Sequence, residues 1–188
     1  MTRGTTNARI AGFTLLFYIG VGVTELVLRS GETSADGTAV RLARIGQQAS
    51  ALVLAVTLYM MTRHEGPVLA LVAMFCRILE GLGSTIASLL QVRWNQNAIF
   101  FAVGSTLFAY LFLRGRMIPA ALAWLGLLAS VFLVVILPLQ LAGLFGRGAN
   151  WFGAVTWLMW LPMLVFEVTL ALWLIVKGVA IPARRQTT

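Results

Sequence analysis

Long apolar runs alternate with short polar interruptions along this chain. A membrane-crossing α-helix needs about 20 predominantly apolar residues. Six runs approach or exceed that length, over residues 8–28, 39–61, 67–92, 98–113, 118–145 and 150–179. The interruptions "TRHEGP", "RWNQN", "RGRM" and "GRGAN" are turn-like pieces rich in Gly, Asn or Pro, and only "RSGETSADGT" at 29–38 is longer. Backbone groups in hydrocarbon must find their partners within their own segment. The pattern therefore predicts an all-α integral membrane bundle of six transmembrane helices. The first run follows a basic flank, as a signal peptide would. It is as long as a full span, however, and no small-residue cleavage site closes it, so it reads as the first helix of the mature protein.

Composition sharpens this reading. Hydrophobic residues make up 60% of the 188 and charged residues 11%, against about 45–50% and about 25% in soluble domains. Mean hydropathy is +0.90. One membrane domain over residues 1–188 accounts for the chain. The formal net charge of +8 comes from 14 Lys+Arg and 6 Asp+Glu. Most of these cations flank apolar runs, where they meet lipid headgroups and set orientation, and none forms a basic stripe interleaved with aromatics. Lipid is the expected partner and nucleic acid is not.

With the N-terminus inside, the inner cations are Arg3, Arg9, Arg63, Arg114, Arg116, Lys177, Arg184 and Arg185. Those outside are Arg29, Arg41, Arg44, Arg93 and Arg147. The bias predicts both termini in the cytoplasm, and a multi-pass protein of a bacterial inner membrane. The single cysteine, Cys76, excludes an internal disulfide and a cysteine metal cluster. The single histidine, His64, sits in a turn, so a histidine-based metal site is not expected. No metal, nucleotide or redox cofactor is implied.

The candidate chemistry lies where polar residues fall inside the spans. Arg77 and Glu80 sit near the middle of the third run, and Glu167 is near mid-depth in the sixth. Glu25, Arg41, Arg44, Gln47, Gln48 and Gln140 fall in the outer parts of their helices. Ionisable groups at such depth are costly, and face a bundle interior or an aqueous cavity. The distribution predicts a polar pocket opening outward, with Glu25, Arg44, Gln48 and Gln140 about its mouth. Gly81, Gly83, Ser84, Thr85, Ala87 and Ser88 would let a neighbouring helix approach closely. Trp157 and Trp160, one turn apart, together with Tyr18, are read as an aromatic lining able to stabilise a positive charge. Trp94 and Trp151 fit an outer interfacial belt.

The segments "ARIAGF…E", "FCRILEG", "YLFLRGRMIPAALAWLG" and "FEVTLALWLIVKG" resemble an uncharacterised bacterial membrane family, the domain of unknown function numbered four-three-eight-six. The resemblance runs over most of the chain. It implies a multi-helix inner-membrane protein with Glu25, Arg77, Glu80 and Glu167 as its recurring polar positions, and it is silent on activity. A looser architectural likeness joins the chain to small membrane-bound terpene cyclases, in which two acidic residues on different helices protonate a prenyl epoxide or alkene.

Three functional readings compete. In the first, the acids Glu25, Glu80 and Glu167 pair with Arg41, Arg44 and Arg77 and only orient helices. In the second, Glu167 has no charged neighbour at helical spacing and serves as a neutral general acid. Glu80, positioned by Arg77, is then its ionised partner, and the substrate is a lipophilic, isoprenoid-type molecule undergoing cyclisation or isomerisation. In the third, the acids serve proton-coupled transport or binding of a lipophile. The second reading is preferred. Self-association into a homo-oligomer is left open.

Overall fold

A computed structural model describes residues 3–30, 37–91, 97–142 and 154–179. These residues form six α-helices and no strand: α1 Arg3–Ser30, α2 Thr38–Thr62, α3 Pro67–Leu89, α4 Asn97–Arg114, α5 Ala120–Leu141 and α6 Ala154–Val176. Five of them are long and apolar enough to cross a membrane, over Thr6–Glu25, Thr38–Thr62, Asn97–Arg114, Ala120–Gln140 and Trp157–Val176. The remaining helix, α3, is 23 residues long and carries the buried charges Arg77 and Glu80. The protein is a multi-pass membrane protein.

Helix ends differ from the hydropathy reading for local reasons. α1 begins at Arg3, before the apolar run, because the polar residues Thr5, Thr6 and Asn7 do not break a helix. α3 stops at Leu89, ahead of the expected Val92, and Gln91 takes a left-handed φ of 56°. α5 starts at Ala120 and not at Ile118. Its N-cap, Pro119, has an extended ψ of 136°, and Met117 and Ile118 before it are buried as connecting residues. α6 ends at Val176, where Gly178 adopts a φ of 74° that favours glycine. The expected end of the fifth run at 145, the start of the sixth at 150, and Arg93, Trp94, Arg147 and Trp151 lie outside the described residues.

Each helix packs against its neighbours in sequence, and α6 returns to pack on α1. The result is a closed ring, with α2 also reaching α4 across the interior. Short connections at 63–66 and 115–119 make α2–α3 and α4–α5 antiparallel pairs. Within the ring lie Leu54, Phe112, Leu133, Met163 and Leu174, all essentially inaccessible. The outer surface is equally apolar: Val68, Leu89 and Leu158 are each at least 70% exposed, and Phe13, Phe17, Phe75 and Leu128 join them. A soluble bundle would carry charge there. This one presents hydrocarbon outward and keeps its buried charges within.

Close approach in the ring depends on small residues. A Cβ on Gly104 of α4 would stand 3.2 Å from the Cβ of Cys76 and 3.5 Å from Cγ of Arg77 on α3. A Cβ on Gly126 of α5 would stand only 2.4 Å from the Phe166 ring of α6. These two glycines seat the helices that carry Arg77 and Glu167.

Candidate functional site: a buried acid–arginine cluster

Residue type and depth bring the polar core together. Arg77 and Glu80 are three apart on α3 and so share a helix face. Their side chains form a buried ion pair, with Arg77 Nη1 donating to Glu80 Oε2 at 2.8 Å. From α1, the Tyr18 hydroxyl donates to the other Glu80 oxygen, Oε1. From α4, Ser105 Oγ accepts from Arg77 Nη2 at 3.2 Å. From α6, Glu167 Oε1 lies 3.6 Å from Arg77 Nη2. The guanidinium carbon stands 4.6 Å from the centre of the Phe101 ring, which in turn packs on Trp160 at 5.5 Å. Four helices thus contribute side chains to one cluster centred on a guanidinium. Arg77, Glu80 and Glu167 are only 3%, 7% and 6% exposed.

Two carboxyl groups therefore share one cation. The Arg77–Glu80 pair accounts for one negative charge and leaves Glu167 in excess. Glu167 Oε1 makes an ion contact but no hydrogen bond, and Arg77 Nε makes no hydrogen bond either. A buried carboxylate beyond the available cations is a costly arrangement. The electroneutral form of the cluster carries one proton on a carboxyl group.

This geometry corrects the one-to-one pairing of three acids with three arginines. Glu25 does meet Arg44, with Oε1 3.6 Å from Nε. Arg41, however, is exposed on α2, and Glu80 and Glu167 converge on Arg77. Glu167 has no charged neighbour at helical spacing along α6, and α3 brings Arg77 to it across the interior.

The other expected site residues divide by place. Tyr18 belongs to the cluster as the donor to Glu80. Trp160 packs beside it through Phe101, whereas Trp157 is 45% exposed on the outside of the ring. The two tryptophans, one turn apart, differ in surroundings, since Phe101 covers Trp160 and Trp157 is exposed. Gln48 binds the exposed Thr85 across the α2–α3 seam, its Nε2 donating to Oγ1 at 2.9 Å. Glu25, Arg44 and Gln48 thus lie toward the same end of the ring, where α1 and α3 end and α2 begins. Gln140 is half-buried in the last turn of α5.

Two participants were not foreseen. Ser105 is one of two hydroxyl residues, with Thr106, that follow Gly104 in the mostly apolar "FFAVGSTLF". Phe101 carries no signal, since nothing in the sequence separates it from the phenylalanines that face lipid.

Fold and site together define a multi-pass helical membrane protein built around a buried cluster of two acids and one arginine. Residues 85–178, half of the chain, match the domain of unknown function DUF4386. The chain belongs to that family. The match includes Phe101, Ser105, Trp160 and Glu167 and begins after Tyr18, Arg77 and Glu80, so it is narrower than the resemblance read from the sequence. No curated protein and no solved structure is significantly similar to the chain, and the likeness to terpene cyclases gains no support from them.

Proposed function

We propose that the cluster is an intramembrane acid–base centre acting on a lipophilic molecule, with Glu167 as the proton donor. The observation that carries this reading is the excess of carboxyl groups. Two acids meet at one arginine, and Glu167 Oε1 makes no hydrogen bond. A network that served only to orient helices would be expected to balance its charges. Glu80, held by Arg77 and Tyr18, is the ionised partner, and Phe101 and Trp160 supply π faces beside the reacting region. Protonation of an alkene or epoxide in an isoprenoid-type substrate, followed by cyclisation or isomerisation, is the chemistry that such an acid supports. No cofactor is required for it.

In this proposal α3 is also a span. Beside the exposed Thr85 it exposes the apolar Val68, Leu71, Val72, Phe75, Ile86 and Leu89, and it is flanked by two helices able to cross. Arg63, Arg114, Arg116 and Lys177 gather at one end of the ring, which supports six spans with both termini at the cytoplasmic face of a bacterial inner membrane.

The test uses Glu167→Gln and Glu80→Gln in the detergent-purified protein, assayed with isoprenoid alkenes and epoxides. An acid–base enzyme turns one of them over, and loses that turnover in Glu167→Gln while keeping its thermal midpoint within a few degrees. Proton flux into liposomes without turnover, abolished by either change, would replace the enzyme reading with proton-coupled transport. A lowered midpoint with neither activity would reduce the cluster to a structural network.

A further inference from the structure

The acid–base reading leaves open how a proton reaches a group so deeply enclosed. Four contacts between α1, α2 and α3 fix the register of these helices. At the level of the cluster, Tyr18 of α1 meets Glu80 of α3, and the next residue, Gly81, packs on Ala51 of α2. One turn further out, Gln47 of α2 lies over Gly22 of α1, where a Cβ would stand 3.1 Å from its Nε2. About one turn beyond, Arg44 of α2 meets Glu25 of α1 at 3.6 Å. Tyr18, Gly22 and Glu25 are spaced i, i+4, i+7, on one face of α1. Arg44, Gln47 and Ala51 are spaced i, i+3, i+7 on the facing side of α2. The axial rise from Tyr18 to Glu25 is about 10 Å.

We infer that Glu25, Arg44, Gln47 and Tyr18 form a polar file along the α1–α2 seam that delivers protons to the cluster from the outer face. Gly22 leaves room for the Gln47 amide, which can hydrogen-bond water entering past the Glu25–Arg44 pair. Arg44 is 45% exposed, so that end of the file reaches the surface. At its inner end the Tyr18 hydroxyl passes its proton to Glu80 and takes one from the water side in the same exchange. The phenol is regenerated, the cluster gains one proton, and no other bond changes.

On the opposite side the buried residues Leu58, Met61, Phe108, Phe112, Leu170 and Leu174 are apolar, and the hydroxyl of buried Thr62 there is committed to the Leu58 carbonyl at 2.8 Å. The titratable and charged groups facing the path and the cluster are Tyr18 and Glu25 from α1, Arg44 from α2, Arg77 and Glu80 from α3, and Glu167 from α6. Cys76 of α3 lies beside Gly104, and α4 adds the Ser105 hydroxyl.

This inference rests on the acid–base reading, and one experiment separates the two. The full chain is reconstituted in sealed vesicles of known orientation. The infrared carbonyl stretch of its protonated carboxyl groups is then followed after a pH jump on one side, with Glu167→Gln and Glu80→Gln assigning the bands. Acidifying the Glu25 side should raise the band at least tenfold faster than acidifying the other side. Gln47→Leu should slow that rise at least tenfold while leaving the final band height unchanged. If Gln47→Leu does not fold, Gly22→Leu, which fills the amide's space, carries the same expectation. A cluster band that responds equally from both sides, or at an unchanged rate in these variants, overturns the file and leaves the acid–base centre standing. The absence of any titrating cluster band overturns both.

Discussion

Replacing Arg77 with methionine tests the charge arithmetic of the core. Methionine keeps most of the side-chain length and removes the cation. Four interactions are lost with it: the charge-assisted bond to Glu80 at 2.8 Å, the bond to Ser105 at 3.2 Å, the cation–π contact with Phe101 at 4.6 Å, and the ion contact with Glu167 at 3.6 Å. The first is worth about 1.5–3 kcal/mol net and the second about 0.5–1.5, and a desolvated cation–π contact adds about 2. Against them stands the desolvation of the guanidinium, which the variant no longer bears. The largest effect then comes from what remains: two buried carboxyl groups with no cation. Breaking a buried pair by removing one partner typically costs about 3–5 kcal/mol, and Arg77→Met is expected to fall in that range. The assay is unfolding in mixed micelles, followed by loss of helical circular dichroism. The control is Arg77→Met combined with Glu80→Gln and Glu167→Gln, which removes every charge from the cluster and should recover more than half of the loss. An Arg77→Met protein as stable as the parent, or a neutral triple variant no better than Arg77→Met alone, would refute the view that the two acids depend on this one cation.

Three smaller perturbations follow from the same geometry. Tyr18→Phe removes the donor to a buried carboxylate oxygen and should cost about 1–3 kcal/mol in the same assay, less than Arg77→Met. Gly126→Ala sets a methyl group 2.4 Å from the Phe166 ring, so overpacking should cost about 1–3 kcal/mol, and adding Phe166→Leu should recover part of it. Glu25→Gln breaks a pair in which Arg44 is 45% and Glu25 12% exposed, so its cost should be smaller than that of Arg77→Met, measured in the same micelles.

Hydropathy made the class of protein and the positions of the six helices legible, because lipid imposes a length and a composition on anything that crosses it. Helix ends were less legible where backbone geometry outweighed apolar content, as at Pro119 and Gln91. The Arg77–Glu80 pair could be read because its spacing lies within one helix. Its connection to Glu167 could not, since 87 positions separate Glu80 from Glu167 and only closure of the ring through α6 and α1 brings them together. Residue type and depth single out Tyr18, but the partner of its hydroxyl is not legible, because Glu80 comes from a distant helix.

The chain also contains its own standard of comparison. Glu25 and Arg44 meet near one end of α1 and α2, with the Arg44 side chain 45% exposed, and such a pair can align two helices at little cost. The central cluster departs from that solution in both respects that matter. It is almost fully buried, and it holds one acid more than its cation can match. Alignment of α3 with α6 would have been served as well by an apolar contact, since replacing a buried charged group with packed hydrophobic residues is often neutral or stabilising. A glutamate at position 167 is therefore a destabilising choice for a purely structural role. It is a fitting one if the group must carry a proton within reach of Arg77, and for that reason Glu167 stands at the centre of the proposed chemistry.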